Sequence, residues 1–233
     1  MPAIAVKTKP QPLPGLPLLG REPPGLTTDP GFRRQAIAAY QACVTFADAQ
    51  VGVLLDTLDR LDLWKDTVVV LAGDNGFHLG EHGLFRKDTL FEEALHVPLV
   101  VAAPGLARPG AVVRAPVELL DLYATIVELA GLPPVSGLDG RSLGPLLANP
   151  DGPGRGPALS YRRVQPPERG WSLRTEAVRY TLWPDGSEEL YDLRTKAGES
   201  ENLAAKPERA AEKGRLRARL QTLVAGPAAA REP

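Results

Sequence analysis

The sequence is poor in cysteine: Cys43 is the only one in 233 residues, which excludes an internal disulfide framework. It has no surplus of one charge. The formal net charge is -1 and the pI about 6.3, so neither nucleic acid nor a membrane surface is the expected partner. It also has no long hydrophobic run. The longest apolar stretches are about six to eight residues, against the roughly 18–20 that a membrane-spanning helix needs. No basic segment followed by a long apolar stretch opens the chain, so no signal peptide is expected in these residues. Localisation stays open, with export to the periplasm or medium compatible with a native start further upstream. There is no internal repeat. What the chain does have is 43% hydrophobic residues, enough for a sizeable core.

Eight prolines fall within residues 1–31, which cannot form a regular helix or an inner strand. This segment reads as an extended linker. Asp29-Pro30 is then an N-cap with proline at the first helical position. Apolar residues recur at spacings of three and four from Phe32 to Leu61: Ala36, Tyr40, Cys43, Ala47, Val51, Leu54, Leu58 and Leu61. They predict one buried helical face, with Cys43 packed in the core. Thr67–Ala72 and Val97–Ala102 are continuous apolar runs, as expected of strands covered on both faces. Val112–Val117 reads as a third, shorter strand, Thr89–Leu95 as a short helix, and Leu119–Ala130 as an amphipathic helix closed by Gly131. Residues 149–157, NPDGPGRGP, read as a linker. Beyond them Thr175–Leu182 and Glu189–Leu193 suggest a small antiparallel sheet, and Pro207–Val224 a final helix. The alternation predicts an α/β fold with a partial, mostly parallel sheet flanked by helices. The expected organisation is a linker at 1–31, an α/β domain at 32–148, a small α+β subdomain at 149–225 and a frayed tail at 226–233.

The chemistry concentrates in residues 71–83, LAGDNGFHLGEHG. Asp74 lies two residues past a predicted strand, where ligands collect in open α/β sheets. Asp74 and Asn75 together offer a carboxylate and an amide oxygen, the ligands of hard cations such as Ca²⁺ or Mg²⁺. Two ligands are too few for either ion. Asp-Asn-Gly is equally turn chemistry, because Asn and Gly tolerate positive φ. His78 and His82, four apart, would make a zinc pair on a helix, but Gly76, Gly80 and Gly83 oppose a helix there. Lys87 is a cation within reach of an anion, or simply a solvated lysine.

Asp48-Ala49-Gln50-Val51-Gly52 and then TVVVLAGDNGFHLGEHGLFRKDTLFEEALHVPLVVAAPG resemble the sulfatase family of the alkaline-phosphatase-like superfamily, in an iduronate-2-sulfatase and choline-sulfatase flavour. ELLDLYATIVELAGLPPVSGLDGRSLGPLL and ELYDLRTKAGESENLA extend the resemblance from about Arg33 to Ala205. The resemblance implies one divalent cation, usually Ca²⁺ (otherwise Mg²⁺ or Mn²⁺), held by four side chains. Two of these correspond to Asp74 and Asn75. It implies that Lys87 contacts the substrate sulfate and that His82 shapes the site. It further implies hydrolysis of a sulfate ester by a formylglycine made from Cys or Ser in a C/S-x-P-S-R motif. One hydroxyl of its hydrate attacks sulfur while cations hold the sulfate oxygens.

That motif is absent from these 233 residues: Cys43 is followed by Val44-Thr45-Phe46-Ala47, and no serine begins it. The early acidic pair that should complete the metal site is absent too. The expectation is therefore the C-terminal part of a sulfatase, inactive alone, whose N-terminal half comes from a longer chain or a partner, or is lost. An isolated chain with uncovered apolar strands is expected to associate. A phosphate or phosphonate monoester hydrolase of the same superfamily, or a non-catalytic metal- or anion-binding partner subunit, are the competing readings.

Overall fold

A computed structural model describes residues 29–164, 168–196 and 198–225. Most of the proline-rich linker and the expected frayed tail, 226–233, lie outside the described residues. The described chain divides into two compact units, one of residues 29–89 and 93–105, the other of 90–92 and 106–225.

The first unit opens with α1, Pro30–Arg60. The Asp29 side chain accepts the Gly31 N–H at 2.7 Å, so the cap predicted from Asp-Pro forms. The predicted buried face of α1 does not: none of its residues is buried among the described residues, Cys43 is exposed, and Leu54 and Leu61 are 67% and 51% exposed. Periodicity records which face is built for burial. It does not record which segment provides the cover. By length and composition α1 also satisfies the minimum for a membrane span, a test that core helices pass as well.

Strands β1 (Val69–Ala72) and β2 (Leu99–Ala102) pair with Val69 opposite Ala102 and Ala72 opposite Leu99. The pair is antiparallel, which corrects the parallel sense expected for these two strands. The 26 residues between them double back with only two short helical turns, Glu81–Gly83 and α2 (Glu92–Leu95), whereas a parallel partner needs a crossover to the opposite end. Leu71 and Val100 are exposed, so these strands are not covered on both faces by the described chain.

In the second unit the predicted strand at Val112–Val117 is absent; the segment is irregular and Pro116 lacks the N–H a ladder requires. Helix α3 (Asp121–Leu129) forms and ends before Gly131, whose φ of 66° is a left-handed cap. Its first residue is a junction. Asp121 is fully buried and accepts the N–H groups of Glu118 and Arg141 at 2.9 and 2.8 Å, and pairs with Arg155. A short helix, α4 (Gly144–Ala148), follows.

Four strands then form an antiparallel meander: β3 (Ala158–Arg163), β4 (Arg169–Arg174), β5 (Val178–Leu182) and β6 (Glu188–Asp192). The small antiparallel sheet was legible, but β3 and β4 were not. One sheet face carries Leu173, Val178, Tyr180 and Leu190, which join Leu220 of α5 (Ala210–Val224) in a core. Each such leucine contributes about 1.5–3 kcal/mol by leaving water. The other face is polar yet buried: Ser172, Arg179 and Thr181. Arg179 donates to Glu199 Oε1 at 2.6 Å and pairs with Glu92, which also accepts from Arg174 at 3.2 Å. Overall the class is α/β with a small antiparallel sheet and a terminal helix.

Candidate functional site

The site is built on the end of β1. Gly73 N–H donates to Pro98 O at 3.0 Å, which extends the strand pair by one rung before the chain turns out. Asp74 and Asn75 follow. Asp74 Oδ1 accepts the Asn75 N–H at 2.8 Å, and Asn75 Nδ2 donates to Gly76 O at 2.9 Å. Asn75 Oδ1 accepts from Lys87 Nζ at 3.1 Å. The structure thus brings Lys87 onto the Asp-Asn turn across twelve residues of sequence. The turn reading holds: local hydrogen bonds of Asp74 and Asn75 fix the turn, and the turn aims an amide oxygen at an ammonium.

Gly76 is required at its place. Its N–H donates to Ala94 O at 2.9 Å, and a Cβ there would stand 1.9 Å from the Glu93 carbonyl oxygen. Only glycine lets α2 approach the turn this closely. Gly76→Ala is expected to lower unfolding free energy by about 1–3 kcal/mol through overpacking. The check is the urea midpoint, with Gly214→Ala, where a Cβ meets no neighbour and the backbone has no positive φ, as the comparison.

The segment 78–86 folds back on itself. His78 N–H donates to Arg86 O and Gly80 N–H to Leu84 O, both at 2.8 Å. Between them Glu81–Gly83 make one tight turn in which His82 has φ 54°. A non-glycine residue in the left-handed region costs free energy and persists only where its surroundings fix it. Here His82 Nε2 lies 3.7 Å from Glu93 Oε2. Burial pushes the Glu93 carboxyl up, but the His82 imidazole and nearby backbone outweigh it and hold the group below the ordinary carboxylate range. Glu93 is a residue the sequence reading missed; its only signal was a carboxylate in a short amphipathic stretch.

His78 is fully buried, its Nε2 2.7 Å from Thr89 Oγ1 and its ring edge-on to His82 at 5.8 Å. Burial is the main cause that lowers its pKa below 6.5, with Glu93 opposing and His82 assisting. The unfolded chain therefore binds a proton near pH 6.5 that the folded chain refuses. Stability from this group is full above 6.5 and falls as pH drops below it. The urea midpoint should decline from pH 7.5 to 5.5, with a flatter slope in His78→Gln. A steeper slope in that variant contradicts the assignment.

In kind, the donors at Asp74 and Asn75 suit a hard divalent cation: two oxygens, one charged, on a turn that points them outward. In number they fall short, and Asn75 Oδ1 here accepts from the Lys87 ammonium.

A family model described as Sulfatase matches residues 8–132, and one described as N-sulphoglucosamine sulphohydrolase, C-terminal, matches residues 80–226. The chain belongs to the sulfatase family. A curated relative named Sulfatase, from Formosa agariphila, is 35% identical over 162 residues, covering 70% of this chain and 31% of the relative. A putative sulfatase structure from Bacteroides thetaiotaomicron is 27% identical with a TM-score of 0.72, covering 82% of this chain and 43% of that one. A phosphonate monoester hydrolase from Silicibacter pomeroyi is 29% identical with a TM-score of 0.66, covering 76% of this chain and 38% of that one. The chain therefore spans about a third of the length of the curated relatives it matches. Sulfatases generally use a divalent metal, and the oxygen donors above are of the type that such an ion takes.

Proposed function

We propose that this chain supplies part of the active site of a sulfuric ester hydrolase acting on a sulfate monoester. The observation that carries the reading is Lys87 Nζ on Asn75 Oδ1, directly after β1, in a chain of this family. In the proposal Asp74 and Asn75 hold one half of the divalent cation site, with Ca²⁺ the first choice and Mg²⁺ or Mn²⁺ the others. When bound, the cation supplies charge stabilisation to the sulfate oxygens. Lys87 adds a second positive charge to the same oxygens and draws on no proton transfer to do so. His82, held in its strained turn beside Glu93, walls the site. The remaining ligands and the formylglycine nucleophile come from residues outside these 233, supplied by a longer chain or by a partner.

The finer placement in an iduronate-2-sulfatase and choline-sulfatase branch has no support in the two family models or in the relatives, so the proposal stays at sulfate monoesters. The structural likeness to a phosphonate monoester hydrolase favours one second reading, a phosphonate ester substrate. A chimera separates them: residues 30–225 joined to the portion of the Formosa agariphila sulfatase that this chain does not span. Turnover of an aryl sulfate above that of the matching phenylphosphonate ester supports the proposal. The reverse preference sinks it in favour of the second reading.

A further inference from the structure

α1 touches the segment after β1 at two points that the proposed chemistry does not use. Arg33 and Tyr40 lie seven residues apart, two turns along α1, and so share one side of the helix. The Tyr40 ring stacks on that of Phe77, with centroids 5.7 Å apart and planes at 26°. The Arg33 guanidinium carbon lies 6.0 Å from the Phe85 ring centroid. The same guanidinium fills the space beside Gly80, where an added Cβ would stand 2.5 Å from Arg33 Nε. Gly80 has φ 113°, so glycine there serves both the backbone and the guanidinium. All five residues belong to the first unit.

The two contacts flank the Lys87–Asn75 hydrogen bond. Phe77 is two residues past Asn75, and Phe85 is two residues before Lys87. Between the two rings the segment closes on itself through His78 N–H to Arg86 O and Gly80 N–H to Leu84 O. Phe85 is buried, whereas Lys87 is exposed. A lysine stem is flexible, so where its ammonium reaches depends on where the backbone beneath it is held. A fold-back closed by a few hydrogen bonds opens readily unless side chains hold it. α1 supplies that hold on both arms from one rigid element. Charge stabilisation needs groups that are already in place when charge develops, supported by neighbours that lock them.

We propose that Arg33 and Tyr40 are positioning residues that set the place of Lys87 relative to Asn75. Tyr40 holds the outgoing arm through Phe77, by ring-on-ring contact. Arg33 holds the returning arm through Phe85 and Gly80. Arginine suits that post, because a guanidinium is attracted to an aromatic ring and is flat enough to pass a residue that has no side chain. The value of this hold for turnover rests on the role proposed for Lys87 above; the hold itself does not.

Hydrogen exchange at single amides of the full 233-residue chain tests the hold. Arg33→Ala should speed exchange of the Gly80 amide, and Tyr40→Ala that of the His78 amide, each about fivefold or more. The amides of the β1–β2 ladder should stay within about twofold of the parent. Tyr40→Phe keeps the ring and should exchange as the parent does. Arg33→Lys keeps the charge without the planar fork and should recover only part of the protection. Unchanged exchange at both amides overturns the proposal. Equal acceleration of the ladder overturns it too, because lost overall stability then accounts for the effect. The chimera tests the consequence for turnover. There Arg33→Ala should lower kcat for an aryl sulfate about tenfold and leave KM within about twofold. In a Lys87→Ala background the same substitution should lower kcat by less than about twofold, since a residue acting through Lys87 has nothing left to act on. Equal losses in the two backgrounds overturn the positioning role. If Lys87→Ala itself leaves turnover unchanged, the reading of Lys87 fails, and the exchange rates alone decide whether α1 holds the segment.

Discussion

Arg179→Met will lower the unfolding free energy of the chain by about 3–5 kcal/mol, the cost of removing one partner from a buried ion pair. Arg179 is 2% exposed and lies between two carboxylates, Glu199 at 2.6 Å and Glu92. Its third group donates to Ser172 Oγ at 3.3 Å. The substitution keeps most of the volume, so cavity formation is a minor part of the effect. The larger part is electrostatic. Glu199, itself buried, is left beside Glu92 without the guanidinium between them, although it still accepts the Glu92 N–H at 2.6 Å. Adding Glu199→Leu should recover more than half of the loss, because an apolar pair replaces the buried charge. Urea unfolding followed by tryptophan fluorescence reads both variants. A loss below about 1 kcal/mol in Arg179→Met would mean that water solvates this face of the sheet, as for a surface ion pair.

In the chimera, Lys87→Ala should lower aryl sulfate turnover by about 10²–10³, the usual scale for removing one group that meets charge developing in the transition state. The effect should fall on kcat more than on KM, since a uniform loss of binding would raise KM alone. Lys87→Arg should recover little. Arginine keeps the charge, but its fork is longer and cannot reproduce a single Nζ contact 3.1 Å from Asn75 Oδ1.

How much of this was legible in the sequence depended on whether the controlling interactions were local. The Asp29 cap, the α1 span and the Gly131 stop rest on neighbouring residues, and all three form as read. Asp74, Asn75 and Lys87 were singled out by the resemblance to sulfatase motifs, since Asp-Asn-Gly by itself reads equally as a turn. Their meeting was not legible, because it depends on how the 78–86 segment folds back. Strands β3 and β4 escaped because Arg163 and Arg169 take the apolar-face positions where the two strands meet, which cuts the apolar alternation to Leu159 and Tyr161 in one strand and Trp171 and Leu173 in the other. The direction of the β1–β2 pair is set by the path between them, which no periodicity encodes. Glu93 was invisible for a further reason: its role depends on a strained histidine eleven residues earlier.

The apolar face of α1 gave a correct pattern and a wrong outcome. Tyr40, Leu54 and Leu61 recur as a core face should, yet stay exposed among the described residues. The solved sulfatase covers more than twice the length that this chain matches. Cover for that face from the remainder of a sulfatase domain is part of the proposal, and the chimera that completes the site would supply it.

The central claim is that Asp74 and Asn75 are one half of a sulfatase metal site. The most direct measurement is aryl sulfate turnover by the chimera against Ca²⁺ concentration, with and without Asp74→Ala. The account predicts Ca²⁺-dependent turnover in the parent and, in Asp74→Ala, turnover that is lost or regained only at much higher Ca²⁺. The same turnover and the same Ca²⁺ dependence in both proteins would contradict it.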